Sequence, residues 1–376
     1  MNTLPGVKGR LGFGCMRLPM KEGEVDLAHF SEMVDAYMAA GFHYFDTAHG
    51  YISGKSETAI KAALTSRYPR ESYVLTNKLS AYHFEREEDI RPLFESQLAA
   101  CGVEYFDYYL MHAQCKSYFE KYKSCHAYEI ALELLREGKI RHFGISFHDT
   151  PEVLAEILEA YPEIEVVQIQ FNYVDFNDPA IRAREVYEVC VRYGKPVIVM
   201  EPVKGGSLVT LPPEAQAVLD ELEGGYSNAA YAIRFTADFP AVAMVLSGMG
   251  NMDMMRENIG LMKSFIPLSE RETAAIRRVQ AIFRGESIIP CTACGYCLER
   301  CPRGIRIPAL FACMNNKSFF KNWSAGYYYD LHLVTSPSPR ECIGCGGCEE
   351  ACPQHLEIRK LLCEVADTFE KDADKD

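Results

Sequence analysis

No run of about 18 uncharged apolar residues occurs in the 376-residue chain, so the sequence offers no candidate membrane-spanning helix. Its opening stretch, MNTLPGVKGRLGFG, lacks the apolar segment of a signal peptide. Basic residues are in deficit: 39 Lys and Arg stand against 52 Asp and Glu, a formal net charge of −13. Broad contact with nucleic acid needs clustered cations, and an anionic membrane repels an acidic surface. The expectation is a soluble, cytoplasmic protein that engages neither nucleic acid nor membrane. The acidic end, ADTFEKDADKD, reads as a solvated tail over residues 366–376.

Cysteine is plentiful instead. Of fifteen, eight fall in two blocks near the C-terminus: Cys291-x2-Cys294-x2-Cys297-x3-Cys301-Pro302 and Cys342-x2-Cys345-x2-Cys348-x3-Cys352-Pro353. In a reducing compartment such blocks read as metal ligands rather than disulfides. Zinc sites usually take paired ligands from each of two loops, not three in series plus Cys-Pro. The spacing is the bacterial-ferredoxin run, twice over, and implies two [4Fe–4S] clusters. In that run the fourth Cys serves the other cluster. Cys291, Cys294, Cys297 and Cys352 are therefore expected around one cubane, and Cys342, Cys345, Cys348 and Cys301 around the second. Gly295, Gly344, Gly346 and Gly347 would let backbone N–H groups approach the sulfurs. Cys15, Cys101, Cys115, Cys125, Cys190, Cys313 and Cys363 are scattered and read as packing residues. The spacer 302–341 is longer than in small ferredoxins. Its apolar residues recur at helical spacing in places, so a helical ferredoxin-type module is expected over residues 286–365.

Residues 1–265 alternate short apolar runs with amphipathic stretches. Candidate strands are 11–16, 43–46, 73–77, 106–111, 141–145, 166–169, 196–200 and 242–246. Helical patterns such as LAHFSEMVDAYMAAG, KSETAIKAALTSR and PAIRAREVYEVCVRYG lie between strands. About eight strand–helix units over this length predict a (β/α)8 TIM barrel. A doubly wound sheet is the alternative, but no G-x-G-x-x-G follows the first strand. Residues 266–285 read as a linker helix.

Polar residues fall at the predicted strand ends. Asp46 ends the second strand, while Lys78, His112, Ser146, Glu201 and Ser247 follow the third, fourth, fifth, seventh and eighth; Gln168 lies on the sixth. In a closed barrel these ends converge on one face, where active sites sit. Singly, each is as readily a satisfied buried polar residue.

The segments FDTAHGY, VLTNKLS and FDYYLMHA resemble the catalytic segments of the aldo-keto reductases. GKIRHFGIS, VVQIQFNY and the late M-R-E-N-I stretch resemble that family's cofactor segments. The resemblance covers about the first seventy percent of the chain, and the fusion is similar to the family's iron–sulfur branch. It implies a nicotinamide-linked oxidoreductase acting on a small carbonyl compound or alcohol, with Asp46, Tyr51, Lys78 and His112 as the catalytic tetrad. Tyr51 would exchange the proton, Lys78 would lower its pKa, Asp46 would hold Lys78, and His112 would polarise the carbonyl. His43, Tyr44, His49 and His148 are nearby rivals. The same resemblance implies that Ser146 and Gln168 hold the carboxamide. It sets Glu201, Pro202 and Val203 against the dinucleotide, Ser247, Gly248 and Met249 at its phosphates, and Glu257 and Asn258 near adenine.

Some residues depart from that pattern. Phe147 replaces an Asn, and the loop after Tyr51 is long. Gly248 and Met254 stand where many relatives carry cations for the 2′-phosphate, and Arg256 is out of register. NAD(H) is thus at least as plausible as NADP(H). Expected pocket walls are Met16, Tyr82, His83, Phe84, Gln114 and Phe147. A hydride carries two electrons and a cubane exchanges one, so direct coupling is poor; a flavin would bridge them, but no flavin motif is evident. The clusters then serve electron transfer with a redox partner protein or cap the pocket; otherwise the chain is an electron carrier with the barrel as a docking scaffold.

Overall fold

The computed structural model describes residues 4–178, 181–285, 288–291, 293–320 and 323–370. They fall into two compact units: 1–172 with 184–204 and 226–269, and 173–183 with 205–225 and 270–376.

The first unit is a closed parallel barrel. Its strands are β1 (Leu11–Gly14), β4 (Tyr44–Asp46), β5 (Val74–Leu79), β6 (Phe106–Gln114), β7 (Ile140–Phe147), β8 (Val166–Gln170), β9 (Val197–Met200) and β10 (Val242–Ser247). A short antiparallel hairpin, β2 (Met20–Lys21) and β3 (Glu24–Val25), follows β1. Every barrel strand pairs with two neighbours, and β1 closes the ring by pairing with β10 and β4. Both faces of each strand are covered, which is why runs such as VVQIQ and VAMVLS are wholly buried rather than alternating. Inside, Tyr44, Tyr108, Leu110, Val166, Ile198 and Met244 pack with Leu4 from the leading segment. Tyr108 donates its hydroxyl to Pro5 O at 2.8 Å, so that segment plugs the end where the strands begin.

The doubly wound alternative is excluded by closure. Several strands run further than their apolar runs indicated. Lys78 lies within β5, paired with Leu110; His112 lies within β6; Ser146 lies within β7, opposite Gln168. The ladder continues through these polar residues because the barrel end buries them with partners. The helices begin at local signals. Asp26 caps Leu27–Ala39 through His29 N–H, and Pro151 opens Pro151–Ala160.

The second unit is helical. Its main elements are Pro213–Asp220, Glu270–Gly285, Tyr296–Arg300, Ile307–Phe320, Ser324–Val334, Gly347–Glu350 and Ile358–Phe369. The spacer 302–341 supplies two of them, as its periodicity predicted. Tyr329 stacks on Phe369 at 4.3 Å, and Lys317 lies over the same ring. Of the expected acidic tail, residues 371–376 lie outside the described residues, and its start forms the end of the helix Ile358–Phe369.

An internal repeat with an offset of 51 residues organises the cysteine blocks. Gly295 (φ 82) corresponds to Gly346 (φ 81), Ala293 (φ 55) to Gly344 (φ 70) and Gly304 (φ 72) to His355 (φ 51). Helix Ile307–Phe320 corresponds to Ile358–Phe369. Equivalent turns recur: Gly304 N–H to Cys301 O and His355 N–H to Cys352 O are both 3.0 Å.

Candidate active site and cluster centre

β4 ends in Asp46, and β5 carries Lys78 across from it. The Lys78 ammonium donates to Asp46 Oδ1 at 2.6 Å, to Thr47 O at 2.8 Å and to the Tyr51 hydroxyl at 3.1 Å. Lys78 is fully buried and Asp46 nearly so. Burial pulls the Lys78 pKa down, but Asp46 and Tyr51 raise it more, so the side chain stays charged. Tyr51 behaves otherwise than expected. Burial raises its pKa, and the lowering effect of Lys78 only partly offsets this. The phenol is therefore held in its protonated form.

His112 comes up from β6, with its ring 5.9 Å from that of Tyr51 and nearly perpendicular to it. Ser80 Oγ lies 2.5 Å from His112 Nδ1. With the hydroxyl as donor, Nδ1 accepts and the ring proton sits on Nε2. Burial, reinforced by Lys78, drives the His112 pKa well below 6.5, and His148 is lowered to about 4 by the same causes. Both imidazoles are neutral beside one ammonium. The asymmetry has a simple chemical meaning: the site offers one fixed positive charge, one phenolic proton and one neutral N–H donor.

The loop after β4 sets Tyr51. Ile52, Ser53 and Gly54 are all left-handed, which accommodates the longer I-S-G-K-S-E segment in a tight coil before helix Lys55–Ile60. Tyr51 O accepts from Gly54 and Ser56 N–H. Glu57, almost wholly buried, anchors this loop from behind. It accepts from Asn77 Nδ2 at 2.8 Å and pairs with His49 Nδ1 at 2.8 Å. Neither Glu57 nor Ser80 stood out in the sequence; only the K-S-E spacing after the tyrosine hinted at Glu57.

The rivals separate. His43 Nε2 accepts from Lys8 N–H at the start of β4, remote from the strand ends. Tyr44 is a core residue whose hydroxyl accepts from Thr76. Among the expected pocket walls, Met16, Tyr82 and His83 are exposed, whereas Phe84, Gln114 and Phe147 are buried. Gln114 Oε1 is engaged by the Tyr128 hydroxyl.

The expected cofactor residues also divide. Gln168 donates to Asp46 Oδ2 at 3.1 Å, and Ser146 Oγ accepts from Ala113 N–H, so each has a partner within the barrel. Glu201, Pro202 and Val203 follow β9. Asn258 is buried and donates to Ser247 Oγ at 2.9 Å, while Glu257 and Gly248 are exposed and Met249 is buried. Arg17, unmarked in the sequence, lies beside the loop 248–250: a Cβ on Gly248 would stand 3.6 Å from Arg17 Cβ. Arg256 is drawn to Asp253 at 3.8 Å.

The family profile of the aldo/keto reductases matches residues 10–281. The chain belongs to this family. A 4Fe-4S dicluster domain matches residues 290–356, so this is an aldo/keto reductase with a C-terminal iron–sulfur domain. The NADH-specific methylglyoxal reductase of Escherichia coli (strain K12) is 25% identical over 320 residues, covering 72% of this chain and 94% of that protein. An aldo-keto reductase of Mycobacterium sp. (strain KMS) is 27% identical over 56% of this chain and 68% of its own length. Among solved structures, the holo form of an aldo-keto reductase from Bacillus halodurans superposes with a TM-score of 0.57 at 23% identity, covering 72% of this chain and 91% of that one. An aldo-keto reductase from Klebsiella pneumoniae in complex with NADPH gives 0.58 at 20%, covering 72% and 90%. At these identities the two structures speak for the fold.

In the iron–sulfur domain of this aldo/keto reductase, Cys291, Cys294, Cys297 and Cys352 line one small cradle, and Cys301, Cys342, Cys345 and Cys348 line another. The exposure pattern repeats: the second Cys of each run is exposed and the third buried. Among the described residues no three His, Cys, Asp or Glu side chains converge tightly enough to hold a single metal ion. Four thiols spread around a cradle fit a cubane better than zinc. Of the scattered cysteines all are buried except Cys363, which is exposed. Among the described residues no helix is long and apolar enough to cross a membrane.

Proposed function

We propose that the barrel reduces a small aldehyde or ketone with a reduced nicotinamide cofactor, or runs the reverse alcohol oxidation, in the cytoplasm. The observation that carries this is the buried Asp46–Lys78–Tyr51 chain with neutral His112 beside it. When bound, the nicotinamide supplies a hydride to the carbonyl carbon. Tyr51 gives its proton to the carbonyl oxygen, and the Lys78 ammonium stabilises the phenolate left behind. Asp46 keeps Lys78 charged and aimed. His112 Nε2–H donates to the same oxygen and orients it. Ser146, Gln168, Glu201, Pro202, Val203, Ser247, Gly248, Met249, Glu257 and Asn258 are proposed to line the dinucleotide groove. With Gly248 and Met254 in place of cations, NAD(H) is favoured over NADP(H), in keeping with the named specificity of the Escherichia coli relative.

The two four-cysteine cradles are proposed to ligate one [4Fe–4S] cluster each, for exchange of single electrons with a redox partner protein. Replacing Tyr51 with Phe tests the barrel chemistry. The expected result is a loss of roughly a hundredfold or more in kcat, with iron content and dinucleotide affinity unchanged. Undiminished turnover in Tyr51→Phe would falsify the assignment.

A further inference from the structure

The two cysteine cradles are related by the repeat, yet their linings differ at two equivalent places. Residues 303 and 354 each follow a Cys-Pro pair, and residues 308 and 359 each stand second in the next helix, Ile307–Phe320 or Ile358–Phe369. Gln354 and Pro308 line the first cradle, whereas Arg303 and Arg359 line the second. Cysteines aside, no ionisable side chain stands among the described residues of the first lining.

Both arginines are held at the second cradle by named partners. Arg359 donates from Nη1 to Gly344 O at 3.2 Å, and its guanidinium carbon would lie 4.0 Å from a Cβ at Gly346. The cation thus rests on the loop that carries Cys342, Cys345 and Cys348. Glu349 keeps it there, accepting from Arg359 Nε and from the Arg359 backbone N–H, both at 2.9 Å. Arg303 pairs with Glu341, the residue before Cys342. Neither carboxylate belongs to the described cradle lining. Each ion pair therefore presents its positive member to the cradle.

We infer that Arg303 and Arg359 make the centre held by Cys301, Cys342, Cys345 and Cys348 the easier of the two to reduce, so that an electron received by the domain comes to rest there. The inference rests on the proposed cysteine ligation. Reduction adds one negative charge to a centre that is already anionic, and a fixed cation beside it favours the more negative state. Cluster potentials follow the charge and hydrogen bonding around the sulfurs. An electron that arrives at the first centre then passes to the second: the first is oxidised, the second reduced, and no proton moves. Both arginines are half-exposed and paired, so water and the carboxylates moderate the effect. Each is expected to contribute about three- to tenfold to the one-electron equilibrium, where tenfold is about 59 mV.

The test uses the full chain reconstituted anaerobically and assayed first for iron and acid-labile sulfide. About eight irons per chain support the ligation itself; zinc in their place sinks that reading and this inference with it. The iron-loaded protein is then titrated with dithionite in the presence of redox mediators, and reduced clusters are counted by electron paramagnetic resonance. Two steps of equal size are expected, and Cys301→Ser should abolish the one at higher potential. Arg359→Gln and Arg303→Gln should each lower that upper step by about three- to tenfold at unchanged iron content, with the lower step in place. Arg359→Lys should restore it, and Glu349→Gln should shift it the opposite way. A residue that only braced the loop would give Arg359→Gln and Glu349→Gln shifts of one sign, since each breaks the same ion pair. A single step in the unaltered chain, loss of the lower step in Cys301→Ser, or shifts of one sign or none overturns the inference and leaves the cluster ligation standing.

Discussion

An ammonium wedged between a carboxylate and a phenol fixes most of what the barrel can do. Because burial outweighs Lys78 in setting Tyr51, the phenol remains an acid beyond the ordinary tyrosine value of 10.0. Because burial and Lys78 also keep His112 neutral, no imidazolium forms near 6.5. The signs give a pH prediction. The reduction rate should be flat over roughly pH 6–9, with no inflection at the usual histidine value, and should fall only when alkali ionises Tyr51. A kcat profile for carbonyl reduction checks this; an acid limb near 6.5 that vanishes in His112→Gln would contradict it. In the proposed mechanism Ser80 acts through His112, whose Nδ1 lies 2.5 Å from the Ser80 hydroxyl. Ser80→Ala removes the hydrogen bond that selects the Nε2–H tautomer, worth about 1 kcal/mol, and should lower kcat by roughly three- to tenfold. Dinucleotide affinity should not move, and Ser80→Thr should restore turnover; a change confined to KM would place Ser80 in binding.

At the scale of elements, the sequence disclosed the strands by their apolar runs, and its segments picked out Asp46, Tyr51, Lys78 and His112, which the structure brings together. It misjudged where strands stop. Lys78, His112 and Ser146 break the apolar runs of β5, β6 and β7, yet the ladders continue through them, since their polar atoms find partners at the barrel end. Glu57 was illegible for the opposite reason: a Glu on a short helix looks solvated until Asn77 and His49 converge on it. Glycines in the strands carried no signal either. Gly144 on β7 lets β8 and the Leu110 side chain close in: an added Cβ would lie 2.5 Å from Val166 Cγ1 and 2.6 Å from Val166 O. A backbone oxygen cannot swing aside as a side chain can. Gly144→Ala should therefore cost about 1–3 kcal/mol or more, lowering the barrel Tm by several degrees. Gly138→Ala on the preceding turn meets no atom within 4 Å but sits at φ 73, so its cost should be smaller and purely conformational. Differential scanning calorimetry of both variants ranks them.

For the molecule as a whole, the crossed cysteine sets tie the repeat together. Cys352 joins the cradle of the first run and Cys301 that of the second, so each centre closes a long stretch of chain. The helices between also pack on one another directly: Ile307, Leu310, Phe311, Ile358, Leu362, Val365 and Ala366 are buried, and Tyr329 stacks on Phe369. Clusters bound at the proposed cysteine sites should add to that packing, because metal binding and folding are coupled. The barrel, closed by its own eight strands, has no such dependence. Anaerobic iron chelation should therefore melt the helical signal of the second unit at a lower temperature while the barrel transition stays in place. Cys301→Ser should destabilise the centre of the second run, and Cys352→Ser that of the first, each removing about half the iron. If either substitution depleted instead the centre of its own run, the crossing would be wrong, and the repeat would be two independent loops rather than one interlocked body.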